Sequence, residues 1–119
     1  MSPALGAWLS AFLFTQAVEI PIYTRALGRV PHGLAVKIAI AFGASALTHP
    51  IVWFVIPGLL TRSYEEMVVG AELFAVLVEG FYLHALGVFD LRRAMLWSLL
   101  ANASSASLGL ASRAIFGWP

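Results

Sequence analysis

The chain contains no cysteine and little charge. The absence of cysteine excludes a disulfide scaffold, thiol catalysis and thiolate metal sites. Only 11% of the 119 residues are Asp, Glu, Lys or Arg, whereas a soluble domain carries about 25%. This charge is too low to cover the surface of a soluble enzyme. The net charge of +1 provides no basic surface for nucleic acid, so we expect no nucleic-acid partner.

Apolar residues make up 61% of the chain, and they are concentrated in four runs. The runs cover residues 4–22, 34–57, 67–89 and 94–116, and each is close to the length of about 20 residues that spans a bilayer as a helix. The connections between them are short, so neighbouring helices should be antiparallel. The sequence therefore predicts an all-α, polytopic membrane protein. We expect residues 1–119 to form a single transmembrane domain, a four-transmembrane-helix bundle in contact with the lipid bilayer.

Basic residues predict the orientation, because Lys and Arg are retained on the cytoplasmic side. Five of the seven lie at the first and third connections: Arg25, Arg29, Lys37, Arg92 and Arg93. We therefore expect both termini outside, in a bacterial-type inner or plasma membrane. The first run has neither a basic start nor a small-x-small cleavage site, so we expect a membrane helix rather than a cleaved signal peptide.

The two halves of the chain resemble each other at a shift of 60 residues. Val18-Glu19 then aligns with Val78-Glu79, and Ser45-Ala46 with Ser105-Ala106. Two interpretations are open: a duplicated helical hairpin whose symmetry axis lies along the membrane normal, or the chance similarity of two pairs of helices rich in Ala and Leu.

Three acidic residues lie within the apolar runs, where an ionised acid costs about 3 kcal/mol and usually marks a pathway or a site. Glu79 falls near the centre of the third run, and Glu72 lies two turns earlier on the same helical face. Glu19 lies late in the first run, just before Pro21. It is either an ion-binding carboxylate or a helix-end residue whose side chain reaches the interface.

Polar residues of the second and fourth runs complete the candidate site. His49 precedes Pro50, which frees a backbone carbonyl in the turn before it, and Ser45 shares a face with His49. These residues are either part of an ion or proton site or hydrogen-bonded structural groups. Asn102 and Ser105 lie on one polar stripe of the fourth run, where serines also serve helix packing.

The predicted depths group the candidate ion-, proton- or substrate-binding residues into three layers. The layers are an outer one of His49 and Glu72, a central one of Glu79, Asn102, Ser45 and Ser105, and an inner one of Glu19. His84 points to a different face from Glu79, and we interpret it as structural. The Glu-x-x-His motif of di-iron bundles and the His-Glu-x-x-His motif of zinc proteases are both absent.

Buried carboxylates without a fixed cation suit proton- or cation-coupled translocation of a small solute or ion, which is the function we expect first. One alternative is an accessory or assembly subunit of a larger membrane complex. The other is a membrane-embedded enzyme acting on a lipid-like substrate. The translocation hypothesis allows a homo-oligomer as well as a single chain.

Overall fold

The computed structural model describes residues 1–60 and 62–119. Its helices, in chain order, are α1 Pro3–Ala26, α2 Leu34–Phe54, α3 Ile56–Leu59, α4 Tyr64–Ala85 and α5 Leu91–Phe116. Helix makes up 85% of the structure, and the described residues contain no strand. Four helical segments are long and apolar enough to cross a membrane. The longest dimension of the bundle is 41 Å, close to the 40–45 Å or so of a bilayer with its headgroups.

The four long helices stand at the corners of a square. Helix α1 packs against α2 and α5, and α4 packs against the same two helices, so α1 and α4 are diagonally opposite. Both chain termini lie at the end that also carries the α2–α4 connection, which we call the terminal end. The opposite end carries the connections 27–33 and 86–90 with the five basic residues noted above, and we call it the basic end.

The bundle is polar inside and apolar outside. Large apolar side chains such as Leu73, Leu77 and Leu99 are at least half exposed. The buried polar residues are Gln16, Glu19, Ser45, Thr48, His49, Glu79, Ser98, Asn102 and Ser105. This distribution is the reverse of that in a soluble domain. It suits a protein whose outer surface faces lipid.

Capping residues explain why two helices start earlier than the apolar runs predict. The Ser63 hydroxyl accepts a hydrogen bond from the Glu66 amide over 3.1 Å, so α4 begins at Tyr64 rather than near residue 67. The Asp90 carboxylate accepts from the Arg93 amide over 2.8 Å, so α5 begins at Leu91 rather than near residue 94. Each side chain satisfies an amide of the first turn, which has no partner within the helix.

Two other boundaries also differ from the predicted spans. Helix α1 continues through Pro21 to Ala26, one turn beyond the predicted end near residue 22. Helix α4 ends at Ala85 rather than near residue 89. It ends there because Gly87 adopts a positive φ of 73°, which terminates a helix and which glycine tolerates better than other residues.

A small apolar cluster closes the interior toward the basic end. Tyr23, Leu27, Leu83 and Ala94 have no exposed surface, and we call these four residues the plug. They come from α1, the turn after it, α4 and the first turn of α5. The polar interior therefore lies between the plug and the terminal end.

Candidate ion-binding site

Glu19 is held inside the bundle by two serine hydroxyls. Its side chain is 1% exposed. The Ser105 hydroxyl donates to its Oε1 over 2.6 Å, and the Ser45 hydroxyl donates to its Oε2. Helix α1 continues for nearly two turns beyond Glu19, so the carboxyl lies inside the bundle and not at the interface. The prediction of a separate inner layer for Glu19 is therefore wrong. Glu19 belongs to the central layer, because its partners Ser45 and Ser105 lie there.

Glu79 is buried in the same way on α4. It too is 1% exposed. The Tyr23 hydroxyl donates to its Oε1 over 3.0 Å, and the Thr48 hydroxyl donates to its Oε2 over 3.1 Å. The carboxyl thus bonds to α1, across the diagonal of the bundle, and to the adjacent α2.

Glu19 and Glu79, which we call the carboxyl pair, lie close enough to interact with each other. Each of their four oxygens accepts one hydroxyl hydrogen bond. These partners are all neutral groups. Within the described residues, the hydrogen bonds of the pair include no Lys, Arg or His. Two acids thus share a buried site without the cation that would balance two negative charges.

Two of these hydroxyls have a second acceptor within reach. Ser105 Oγ lies 3.2 Å from the Asn102 carbonyl oxygen, and Thr48 Oγ1 lies 3.4 Å from the Ala44 carbonyl oxygen. A hydroxyl has one proton to donate and two lone pairs that can accept. Each can therefore donate to a carboxylate, or turn its proton to the backbone and accept one from a carboxylic acid.

Asn102 supports the site from α5. Its Nδ2 donates to the Ser98 carbonyl oxygen over 2.9 Å, and its side chain also interacts with Glu79. Ser98 is fully buried, and its hydroxyl donates to the Val76 carbonyl oxygen over 2.7 Å. The polar stripe predicted on the fourth run therefore faces the interior and joins α5 to α4.

His49 lies nearer the terminal end, among aromatic rings. Its ring centroid is 5.4 Å from that of Phe12, 6.3 Å from Trp8 and 6.2 Å from Trp53. Its Nε2 lies 3.4 Å from Thr15 Oγ1, while its Nδ1 is buried without a hydrogen-bond partner among the described residues. A buried ring nitrogen of this kind is available to a water molecule or a ligand.

A cavity of about 190 Å³ joins these residues. All seven predicted site residues line it: Glu19, Ser45, His49, Glu72, Glu79, Asn102 and Ser105. Trp53, Tyr64 and Arg113 also line it, and they place its mouth at the terminal end. One water molecule needs only about 10–15 Å³ of cavity volume, so the cavity has room for several waters or a small solute.

His49 and Glu72, which the sequence places together in an outer layer, share no hydrogen bond among those of the described residues. Both line the cavity, but His49 contacts Thr15 instead. Glu72 is half-buried on the face of α4 that also carries Glu79. It lies between the carboxyl pair and the mouth of the cavity.

Tyr23 and Thr48 bind the carboxyl pair but were not among the predicted site residues. Tyr23 lies one turn after Glu19 on the same helical face, a signal that is lost if α1 is taken to end near Pro21. Thr48 lies three residues after Ser45, which also places it on the site-facing surface of α2. His84 is exposed, and its Nδ1 lies 3.1 Å from the Phe89 carbonyl oxygen, away from the cavity.

Within residues 1–60 and 62–119, no group of three or more His, Asp or Glu side chains is placed to hold a metal ion. Comparison of the chain with protein families, with curated proteins and with solved structures finds no match. The carboxyl pair and its cavity are therefore the features of the molecule that bear on its function.

Proposed function

We propose that the protein is a small proton- or cation-coupled transporter and that the carboxyl pair is its ion-binding site. One observation carries this proposal: two buried carboxyls, each of whose oxygens accepts from a hydroxyl, line a cavity that opens at the terminal end. Structural acids inside a membrane protein are usually paired with basic groups. Acids that face a cavity without such a partner can bind a proton or a cation from water.

The electrostatics of the pair favour a bound positive charge. Two ionised carboxylates in an apolar surrounding repel each other, and burying an unpaired charge costs several kcal/mol. A proton shared by Glu19 and Glu79, or a monovalent cation between them, removes this repulsion and halves the buried negative charge. The pair is thus suited to hold one positive charge at rest and to release it when a second species enters the cavity.

The hydroxyl partners suit both states of the pair. When a carboxyl is ionised, Ser105 and Thr48 donate to it. When it is protonated, either hydroxyl can accept from the acid and donate to its backbone carbonyl, at 3.2 Å for Ser105 and 3.4 Å for Thr48. A group that remains hydrogen-bonded in both states can gain and lose a proton without leaving a buried polar atom unpaired.

The plug separates the pair from the basic end, so transport requires a second conformation in which Tyr23, Leu27 and Leu83 move apart. Pro21 and Pro50 lie within α1 and α2, close to the pair and to His49. Proline removes one backbone hydrogen bond of a helix and is a common position for bending. We propose these positions as the hinges. With both termini outside, the present conformation is open to the outside.

The duplicated-hairpin interpretation gains support from the site. Under the shift of 60 residues, Glu19 corresponds to Glu79 and Ser45 to Ser105. These four residues meet at the centre of the bundle, where both serines donate to Glu19. We propose that the two hairpins are repeats related by an axis along the membrane normal, as in parallel transporter repeats.

Reconstitution into vesicles tests the transport proposal. Vesicles holding a pH-sensitive dye are given a potassium gradient and valinomycin, and the dye then reports proton flux. We expect flux in the native protein and its loss in Glu79→Gln and Glu19→Gln, which keep the size of the side chain but cannot ionise. Glu65→Gln removes an acid from the exposed first turn of α4 and should leave flux unchanged. Native flux that persists in both pair variants contradicts the proposal.

An accessory subunit of a larger membrane complex is the second candidate. It is favoured by the complete hydrogen bonding of the carboxyl pair, in which every oxygen has a partner inside the bundle. In that role Glu79→Gln leaves function intact, and the protein co-purifies with its complex after mild solubilisation. Absence of flux in the native protein together with such a complex favours this candidate.

A further inference from the structure

A second cavity lies at the basic end and is independent of the carboxyl pair. Its volume is about 530 Å³. Three arginines, Arg25, Arg29 and Arg93, line it together with the half-buried apolar side chains of Phe89 and Trp97. Within the described residues its lining includes no acid. We call this cavity the arginine groove.

One wall of the groove is held by the connection between α1 and α2. Arg25 and Arg29 lie one turn apart, on the end of α1 and on the 3-10 turn Leu27–Arg29. Leu27 is fully buried and anchors this turn. The Lys37 ammonium donates to the Gly28 carbonyl oxygen over 3.1 Å. The buried Leu27 side chain and the hydrogen bond from Lys37 therefore fix the backbone that carries the two arginines.

The rest of the lining comes from the α4–α5 connection and the start of α5. The Asp90 carboxylate, the nearest acid in sequence, caps α5 by accepting from the Arg93 amide over 2.8 Å. The His84 ring contacts the Phe89 carbonyl oxygen and so ties the end of α4 to this connection. Arg93 thus lines the groove together with Arg25 and Arg29.

The groove concentrates more positive charge than is needed to orient the protein in the membrane. Basic residues on the cytoplasmic side suffice for orientation wherever they lie, and Arg92 meets that need without lining the groove. Three arginines that line one concave surface instead match an oxyanion, because a guanidinium group offers a planar fork of donors to phosphate oxygens. Basic pockets at the cytoplasmic ends of membrane helices recognise the headgroups of anionic lipids.

We propose that the arginine groove binds a phosphate anion, with Arg25, Arg29 and Arg93 as its ligands. Phe89 and Trp97 form an apolar wall suited to the part of the ligand next to its phosphate, since tryptophan side chains favour the membrane interface. The phosphate is carried either by an anionic phospholipid of the adjoining leaflet or by a soluble compound. This proposal does not depend on the transport proposal.

Binding to the purified protein in detergent tests the groove. The probes are phosphatidylglycerol, phosphatidylcholine and inorganic phosphate, and native mass spectrometry counts the bound lipid while the unfolding temperature reports phosphate. We expect phosphatidylglycerol to bind in preference to phosphatidylcholine. Arg25→Gln and Arg93→Gln should each weaken binding roughly ten-fold, the effect of losing one charge-assisted pair. Arg93→Lys should lie between Arg93→Gln and the native protein.

Arg92→Gln is the matched control, because it removes the same charge one residue away, from a position outside the groove. Its binding should equal that of the native protein. If inorganic phosphate binds, its binding is weakened by the same substitutions and phosphatidylglycerol is not preferred, then the groove is assigned to a soluble ligand. Equal losses in Arg92→Gln and Arg93→Gln, or no binding of either anion, overturn the proposal. Circular dichroism of each ligand-free variant separates lost binding from lost folding.

Discussion

The hydroxyl of Tyr23 donates to Oε1 of Glu79 over 3.0 Å and joins two helices that stand diagonally opposite in the bundle. Tyr23 belongs to the plug, and Glu79 belongs to the carboxyl pair. This hydrogen bond therefore links the ion site that we propose directly to the plug.

Tyr23→Phe should destabilise the fold, because it removes the hydroxyl and leaves Glu79 Oε1 without this donor. The loss of one partner of a buried hydrogen bond costs about 1–3 kcal/mol. Unfolding in mixed detergent micelles measures the change. Tyr64→Phe is the control, since Tyr64 is 55% exposed and its replacement should have almost no effect. Equal stability of the two variants would show that this hydrogen bond does not stabilise the fold.

Ser105→Leu should also destabilise the fold, both by overpacking a buried position and by removing the donor to Glu19 Oε1. Overpacking alone typically costs about 1–3 kcal/mol. Ser107→Leu makes the same change two residues away, where the side chain is exposed, and it should be tolerated. A melting temperature that is unchanged in Ser105→Leu contradicts the packing described for α5.

Gly43→Ala tests the close approach of α2 and α4. A Cβ atom at Gly43 would collide with the Tyr82 hydroxyl, which donates to the Ile40 carbonyl oxygen over 2.9 Å. We expect a loss of about 1–3 kcal/mol in unfolding free energy. Gly6→Ala has no neighbour within 4 Å and should be neutral or stabilising, because alanine favours a helix. The reverse order of stabilities would contradict the helix packing.

Cysteine labelling tests the orientation, and the native chain has no thiol to interfere. Single cysteines at Ser2 and Ser63 report the terminal end, and one at His32 reports the basic end. With an impermeant maleimide applied to intact cells, we expect labelling at Ser2 and Ser63 and none at His32. Labelling of His32 alone would place both termini inside.

Much of the fold could be predicted from the sequence because lipid imposes a simple length and apolarity rule on each helix. The number of spans follows from that rule, but their exact ends do not. They depend on caps such as Ser63 and Asp90 and on the left-handed conformation of Gly87, which are local features with no effect on hydropathy. Pro21 misled the prediction for α1, since a membrane helix can continue through a proline when neighbouring groups compensate.

The site could be predicted in part because acids within apolar runs are costly and therefore conspicuous. The sequence identifies the residues that line the cavity, but it does not predict which of them form hydrogen bonds with each other. Tyr23 reaches Glu79 across the diagonal of the square, and this contact depends on which helices are opposite. Apolar patterns do not specify that order, so the tyrosine could be identified only from the three-dimensional arrangement.

The central claim is that the carboxyl pair exchanges a proton with water through the cavity. Infrared difference spectroscopy of the protein in lipid tests it most directly, because the C=O stretch of a protonated carboxyl is separate from that of a carboxylate. Between acidic and alkaline buffer, we expect a buried carboxylic-acid band that decreases in the native protein and is absent in the double variant Glu19→Gln with Glu79→Gln. Glu65→Gln should keep the band. Identical difference spectra for the native protein and the double variant would contradict the claim and assign the pair a purely structural role.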